Sequence, residues 1–216
     1  MGRNKHVIDG CDDVSITITV KLEDGHYATQ NCKLVAVTSK CILHNTYDLC
    51  AIPLSLLFQK TYNMKRMIVA SYVKISELAM ADTFAECDAI SDVYVIGYPN
   101  AFRDKKNNLP IARKGVTSTP LFSDYEGRKE FLVDCGILEG SSGSPVFIKD
   151  KGDDYKLAGI VCASKMMSVE AKYYDSKGES GEGYCWISTG IGAAIKAQEI
   201  LDLATEINKI KTDIFL

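Results

Sequence analysis

Leu138-Glu139-Gly140-Ser141-Ser142-Gly143-Ser144-Pro145-Val146-Phe147 is a tight turn of small residues that opens into an apolar run. Glycine tolerates positive φ and lets another backbone come close. A serine between such residues is well placed to present its hydroxyl as a nucleophile. Gly140 and Ser142 are spaced so that their N–H groups can converge on one oxyanion. The plain alternative is an ordinary Gly/Ser turn before a strand. What separates the two readings is the placement of the histidines and of one aspartate.

Around this turn the chain reads as short strands. Val14–Leu22 alternates apolar and polar residues, the period of a half-buried strand. Strands are also expected at 33–38, 49–53, 67–73, 93–96, 111–118, 130–135, 145–148, 156–163 and 183–188. Asp24-Gly25-His26 reads as a hairpin turn. A short helix is expected over Ser76–Glu86 and a surface loop over Ser164–Gly183. From Lys196 to Lys211, Ile200, Leu201, Leu203, Ile207 and Ile210 fall near one helical face, which predicts an amphipathic helix docked on a core. Many short strands with frequent turns predict an all-β fold of antiparallel barrels or sandwiches with a C-terminal helix. A break within 76–92 divides the chain into two halves.

Composition removes several classes of function. The 216 residues carry a net charge of −3 with lysines scattered among acids, so no basic face for nucleic acid is present. No apolar stretch reaches the roughly 20 residues that span a bilayer, and no apolar segment follows the N-terminus as in a signal peptide. The eight cysteines include no C-x-x-C pair, and several lie in apolar runs, as in Leu49-Cys50-Ala51. They read as free, buried thiols of a reducing, cytoplasmic compartment, with no metal and no cofactor expected.

All three histidines, His6, His26 and His44, precede Ser142. An α/β-hydrolase requires its histidine after the serine, so that catalyst is excluded. The order His, Asp, Ser of the chymotrypsin template, with intervals of about 45 and about 93 residues, remains open. His6 and Asp48 are 42 apart, and Asp48 and Ser142 are 94 apart. His44 is too close to Asp48 for that template, and His26 sits in its turn.

With His6 in Asn4-Lys5-His6-Val7, Asp48 in Asp48-Leu49-Cys50-Ala51-Ile52-Pro53-Leu54 and Ser142 in its Gly/Ser run, the chain resembles the trypsin-like serine peptidases of the chymotrypsin fold. It is closest to their disulfide-free bacterial branch. Val95-Ile96-Gly97-Tyr98-Pro99-Asn100 and Arg113-Lys114-Gly115-Val116-Thr117-Ser118 resemble the opening of the second barrel in that branch, including its HtrA-type members. The likeness runs from His6 to about Ala194.

The resemblance implies two antiparallel β-barrels: residues 1–88 carrying His6 and Asp48, residues 89–195 carrying Ser142, and a helix and tail at 196–216. It implies a serine endopeptidase acting on peptide or protein substrates. His6 would be the base, Asp48 its orienting partner, Ser142 the nucleophile, and Gly140 and Ser142 the oxyanion donors. Ser188, Thr189 and Gly190 would pair with substrate. The first strands of the first barrel are not in the sequence before His6, which implies a truncated form, a second chain completing that barrel, or a rearranged first half, with lowered activity in each case. Ser141 stands where zymogen-forming relatives carry Asp, so activation by N-terminal cleavage is not expected. A peptide-binding or regulatory module on the same fold is the alternative function. A cysteine-nucleophile hydrolase is a third, with no cysteine at the nucleophile position.

Overall fold

The computed structural model describes residues 2–11, 13–35, 39–53, 55–62, 65–99, 102–174, 178 and 180–214. The first half holds two three-stranded antiparallel sheets rather than one closed barrel. In one sheet β1 (Gly2–Arg3), β5 (Cys50–Ala51) and β4 (Ile42–Leu43) lie in the order β1-β5-β4. In the other, β2 (Asp13–Lys21) lies between β3 (Tyr27–Val35) and β6 (Met67–Val69). The two sheets bury one core, in which Cys32 and Leu34 of β3 meet Cys50 of β5, Ile52, and Ile8.

The hairpin turn predicted at Asp24-Gly25-His26 is present, with Gly25 at φ 86. Its second strand begins at Tyr27, not at Lys33, because all nine β2 residues from Asp13 to Lys21 find partners between Val35 and Tyr27. The expected strand end at 36–38 lies outside the described residues. β5 and β6 are shorter than expected. α1 (Ser55–Tyr62) follows β5 and was not anticipated. The single helix expected at 76–86 is two pieces, a 3-10 turn at Ile75–Glu77 and α2 (Ala81–Ala85). Between them Leu78 bridges to Leu157 and the Ala79 N–H donates to the Leu157 carbonyl, so the chain leaves helical geometry to reach the second half.

The second half is a closed barrel of six strands: β7 (Asp92–Gly97), β8 (Ile111–Thr117), β9 (Glu130–Ile137), β10 (Pro145–Lys149), β11 (Tyr155–Tyr174) and β12 (Ser180–Lys196). The order is β10-β11-β12-β9-β8-β7, closed where Val146 and Phe147 of β10 meet Val95 and Tyr94 of β7. Alternation drives this closure. Every second residue of β7, β9 and β10 turns inward, so Val93, Val95, Phe131, Val133, Ile137, Val146 and Ile148 are fully buried in one core.

The expected loop at 164–183 is the largest correction. It is a two-stranded ribbon in which β11 and β12 pair from Met166↔Ser188 to Tyr174↔Ser180. Polar composition disguises a strict alternation, Met167, Val169, Ala171 and Tyr173 on one face against Ser168, Glu170 and Lys172 on the other. α3 (Ala197–Ile214) ends the chain and packs Leu203 with Ile195 and Ile160. The side chain of Ile210, expected on the packed face, lies outside the described residues.

Candidate active site

Asp48 is fixed from both sides. Its neighbours Tyr47 and Leu49 are buried in one cluster with Ile160, Ile195 and Leu203, which belong to the barrel and to α3. The Lys129 N–H donates to the Tyr47 hydroxyl at 2.8 Å. This hydrophobic seam brings an aspartate of the first half against the barrel that carries Ser142. Asn4, wholly buried, donates through Nδ2 to the Asp48 carbonyl at 2.7 Å.

His6 sits in a one-turn 3-10 helix, Lys5–Val7. β1 before it pairs with β5, and Ile8 after it is buried in the first core. Both Asp48 oxygens address His6: Oδ1 accepts its backbone N–H at 3.0 Å, and Oδ2 faces its Nδ1. That contact directs the Nδ1 proton to the carboxylate and leaves the Nε2 lone pair free. Nε2 lies 3.1 Å from Ser142 Oγ. Asp48, His6 and Ser142, drawn from three distant segments, therefore form one chain of hydrogen bonds. In such a chain a hydroxyl proton can pass to the ring as the oxygen attacks.

The serine turn is built for exposure of this group. Gly140 and Gly143 have φ of 77 and 82. The Ser141, Gly143 and Ser144 N–H groups are used within the fold, donating to Leu138, Val161 and Ser141 carbonyls. Among the described residues the Gly140 and Ser142 N–H groups have no backbone acceptor, so both remain available for an oxyanion. Gly97 lies behind the turn, where a Cβ would come within 2.9 Å of Ser144 Cβ.

Three residues support the site in ways not read from sequence, where His44 was weighed only as a base. Arg113 on β8 donates through Nη1 to the Gly136 carbonyl and through Nη2 to Ser141 Oγ at 3.1 Å, bracing the turn from β9 to the residue before Ser142. His44 accepts the Thr46 and Tyr47 N–H groups at Nδ1, each at 3.1 Å, so its proton resides on Nε2. There it meets Glu199 of α3 at 3.1 Å, with both side chains nearly buried. Burial pushes the Glu199 carboxyl up, nearby Asp202 adds to this, and His44 and Lys129 oppose it. These contacts span residues far apart in sequence, and no local pattern marks them.

Ser188, Thr189 and Gly190 do not lie on an open edge. Ser188 pairs with Met166, Gly190 pairs with Ile137, and Ser188 Oγ donates to the Ile137 carbonyl at 2.9 Å. The open edge beside Ser142 belongs to β11. Its pairing with β10 ends at Ile160, followed by the Val161 bonds to Gly143 and Ser144. Beyond Val161 no described strand flanks β11 opposite β12. Beside Ser142, a cleft of about 650 Å³ is lined by His6, Gly97, Tyr98, Gly140 and Pro145 together with Leu157 and Ile160 of β11.

Among the described residues no three His, Cys, Asp or Glu side chains are grouped to hold a metal ion. All eight cysteines are free thiols. No helix among the described residues is long and apolar enough to cross a membrane. No protein-family model matches the chain, and no curated protein matches it.

Proposed function

We propose that this protein is a serine endopeptidase of the trypsin-like kind, its closed six-stranded barrel being the second barrel of a chymotrypsin-type architecture. The observation that carries this reading is the 3.1 Å approach of His6 Nε2 to Ser142 Oγ with Asp48 on the opposite ring nitrogen. Ser142 Oγ attacks the carbonyl of an extended peptide while His6 takes its proton. Asp48 stabilises the imidazolium that forms. The Gly140 and Ser142 N–H groups donate to the tetrahedral oxyanion, each contributing about 3 kcal/mol to barrier lowering. His6 then gives its proton to the amine, which departs, leaving Ser142 acylated. Water, deprotonated by His6, attacks the ester, and the proton returns to Ser142 as the acid product leaves.

The unprimed part of the substrate is held as a strand along the β11 edge after Val161, where backbone groups supply sequence-tolerant affinity. Labelling of Ser142 by a fluorophosphonate, and its loss in Ser142→Ala and His6→Ala, tests the reaction. A protein that binds peptides yet resists labelling would be a peptide-binding module instead.

A further inference from the structure

The ribbon of β11 and β12 carries the open edge away from the barrel for nine residue pairs, Met166↔Ser188 to Tyr174↔Ser180, or about 30 Å. One face presents Met167, Val169, Ala171 and Tyr173 from β11 beside Ile187 and Cys185 from β12, with no charge among them. Met167, Tyr173 and Ile187 are 47%, 60% and 44% exposed, and Val169 is half-buried between them. The Tyr173 ring lies over Gly181, which flattens the far end of this face. A face this apolar, left in water, marks a binding surface. The opposite face is mixed, with the Lys172–Glu182 ion pair beside Tyr184 and Trp186.

Position decides what occupies it. The cleft beside Ser142 is lined by His6, Gly97 and Pro145 and reaches Leu157 and Ile160 of β11. His6 must protonate the departing amine, so the amine half of a substrate lies toward His6. The edge that β11 leaves open starts at Val161, which is bonded to Gly143 and Ser144 next to the nucleophile. The acyl half extends onto that edge, and its N-terminal residues run outward along the ribbon, antiparallel to β11.

We propose that the ribbon is an extended acyl-side subsite, taking an unfolded polypeptide with apolar residues at alternate positions as an added antiparallel strand. Alternate side chains of that strand lie beside Met167, Val169, Ala171 and Tyr173, and the others beside Ser168, Glu170 and Lys172. The direction of binding rests on the proposed roles of His6 and Ser142.

The test uses Ser142→Ala full-length protein and a peptide of about twelve residues alternating Val and Thr, compared with its last four or so residues. The longer peptide is expected to bind about tenfold tighter or more. That advantage is expected to vanish when 167–187 is replaced by Asn-Gly. It is expected to vanish also in Met167→Asp/Val169→Asp, which retains the ribbon and serves if the shortened chain does not fold. Equal affinity for both peptides on the intact ribbon overturns the proposal. So does a length advantage that survives both variants, or a ribbon-dependent dimer that forms in place of peptide binding. Failure of the intact protein to label with fluorophosphonate overturns the peptidase reading alone, because the length dependence is measured without turnover.

Discussion

His44 Nε2 lies 3.1 Å from the Glu199 carboxylate, joining the loop that carries Asp48 to the C-terminal helix. Because His44 Nδ1 accepts two backbone N–H groups of that loop, the pair holds the path from His44 to Asp48. Glu199→Ala leaves the Nε2 proton buried without an acceptor, at a cost of about 1–3 kcal/mol. It is expected to lower the rate of Ser142 acylation together with stability. Glu199→Gln retains an acceptor oxygen and is expected to restore both.

The same carboxyl gives a pH signature. Burial raises its folded-state pKa, so Glu199 favours folding most below the ordinary glutamate range, where it is protonated in both states. That contribution is lost as pH rises through the folded-state value. Denaturant titrations from pH 4 to pH 8, spanning the ordinary glutamate pKa of about 4.3, are expected to show the wild type losing stability relative to Glu199→Gln as pH rises. A difference that is constant with pH would contradict this.

Arg113 braces the turn before the nucleophile through the Gly136 carbonyl and Ser141 Oγ. Arg113→Met removes both bonds, and a displacement of about 1 Å in the Gly140 and Ser142 N–H groups costs up to about 10²-fold in rate. The expected result is a fall in kcat exceeding any rise in KM, measured on a peptide ester. Unchanged kcat would show that the turn holds itself.

Gly115 is required by the seam between β8 and β9. A Cβ there would lie 2.7 Å from Cys135 Cα, a backbone atom that cannot rotate away. Gly115→Ala is expected to destabilise the fold by about 1–3 kcal/mol in thermal or urea unfolding.

Cysteine chemistry separates sharply by site. Burial, with the carboxylates of Glu130 and Asp48 adding to it, pushes the Cys162 thiol up to about 12. Cys185 is exposed on the ribbon. Iodoacetamide at about pH 8 is expected to modify Cys185 well before Cys162, since the thiolate is the reactive form. Peptide mapping by mass spectrometry reads the order.

Much of the architecture was legible from residue patterns. Alternation marked β2, short strand-like runs between turn signals marked β7 and β9, and the apolar spacing of Ile200, Leu203 and Ile207 marked α3. The order His6, Asp48, Ser142 pointed to three segments that the fold brings within hydrogen-bond reach. The ribbon was not legible, because its polar face supplies the Ser, Lys and Glu that characterise loops while half of each strand carries the apolar signal. The Arg113–Ser141 and His44–Glu199 contacts arise from tertiary packing and have no local trace. The open β11 edge was equally hidden. Only the tertiary structure shows that β12 is flanked by β9 from Gly190 onward, with Ser188 bonded to Ile137 through its hydroxyl, while β11 beyond Val161 is flanked by β12 alone among the described residues.

Activation of Ser142 by His6 is read from the rate of fluorophosphonate acylation, followed by mass spectrometry of the modified peptide. A single adduct on Ser142 is expected, abolished in Ser142→Ala and slowed by orders of magnitude in His6→Ala. No adduct on Ser142, or one that forms equally fast without His6, would contradict it.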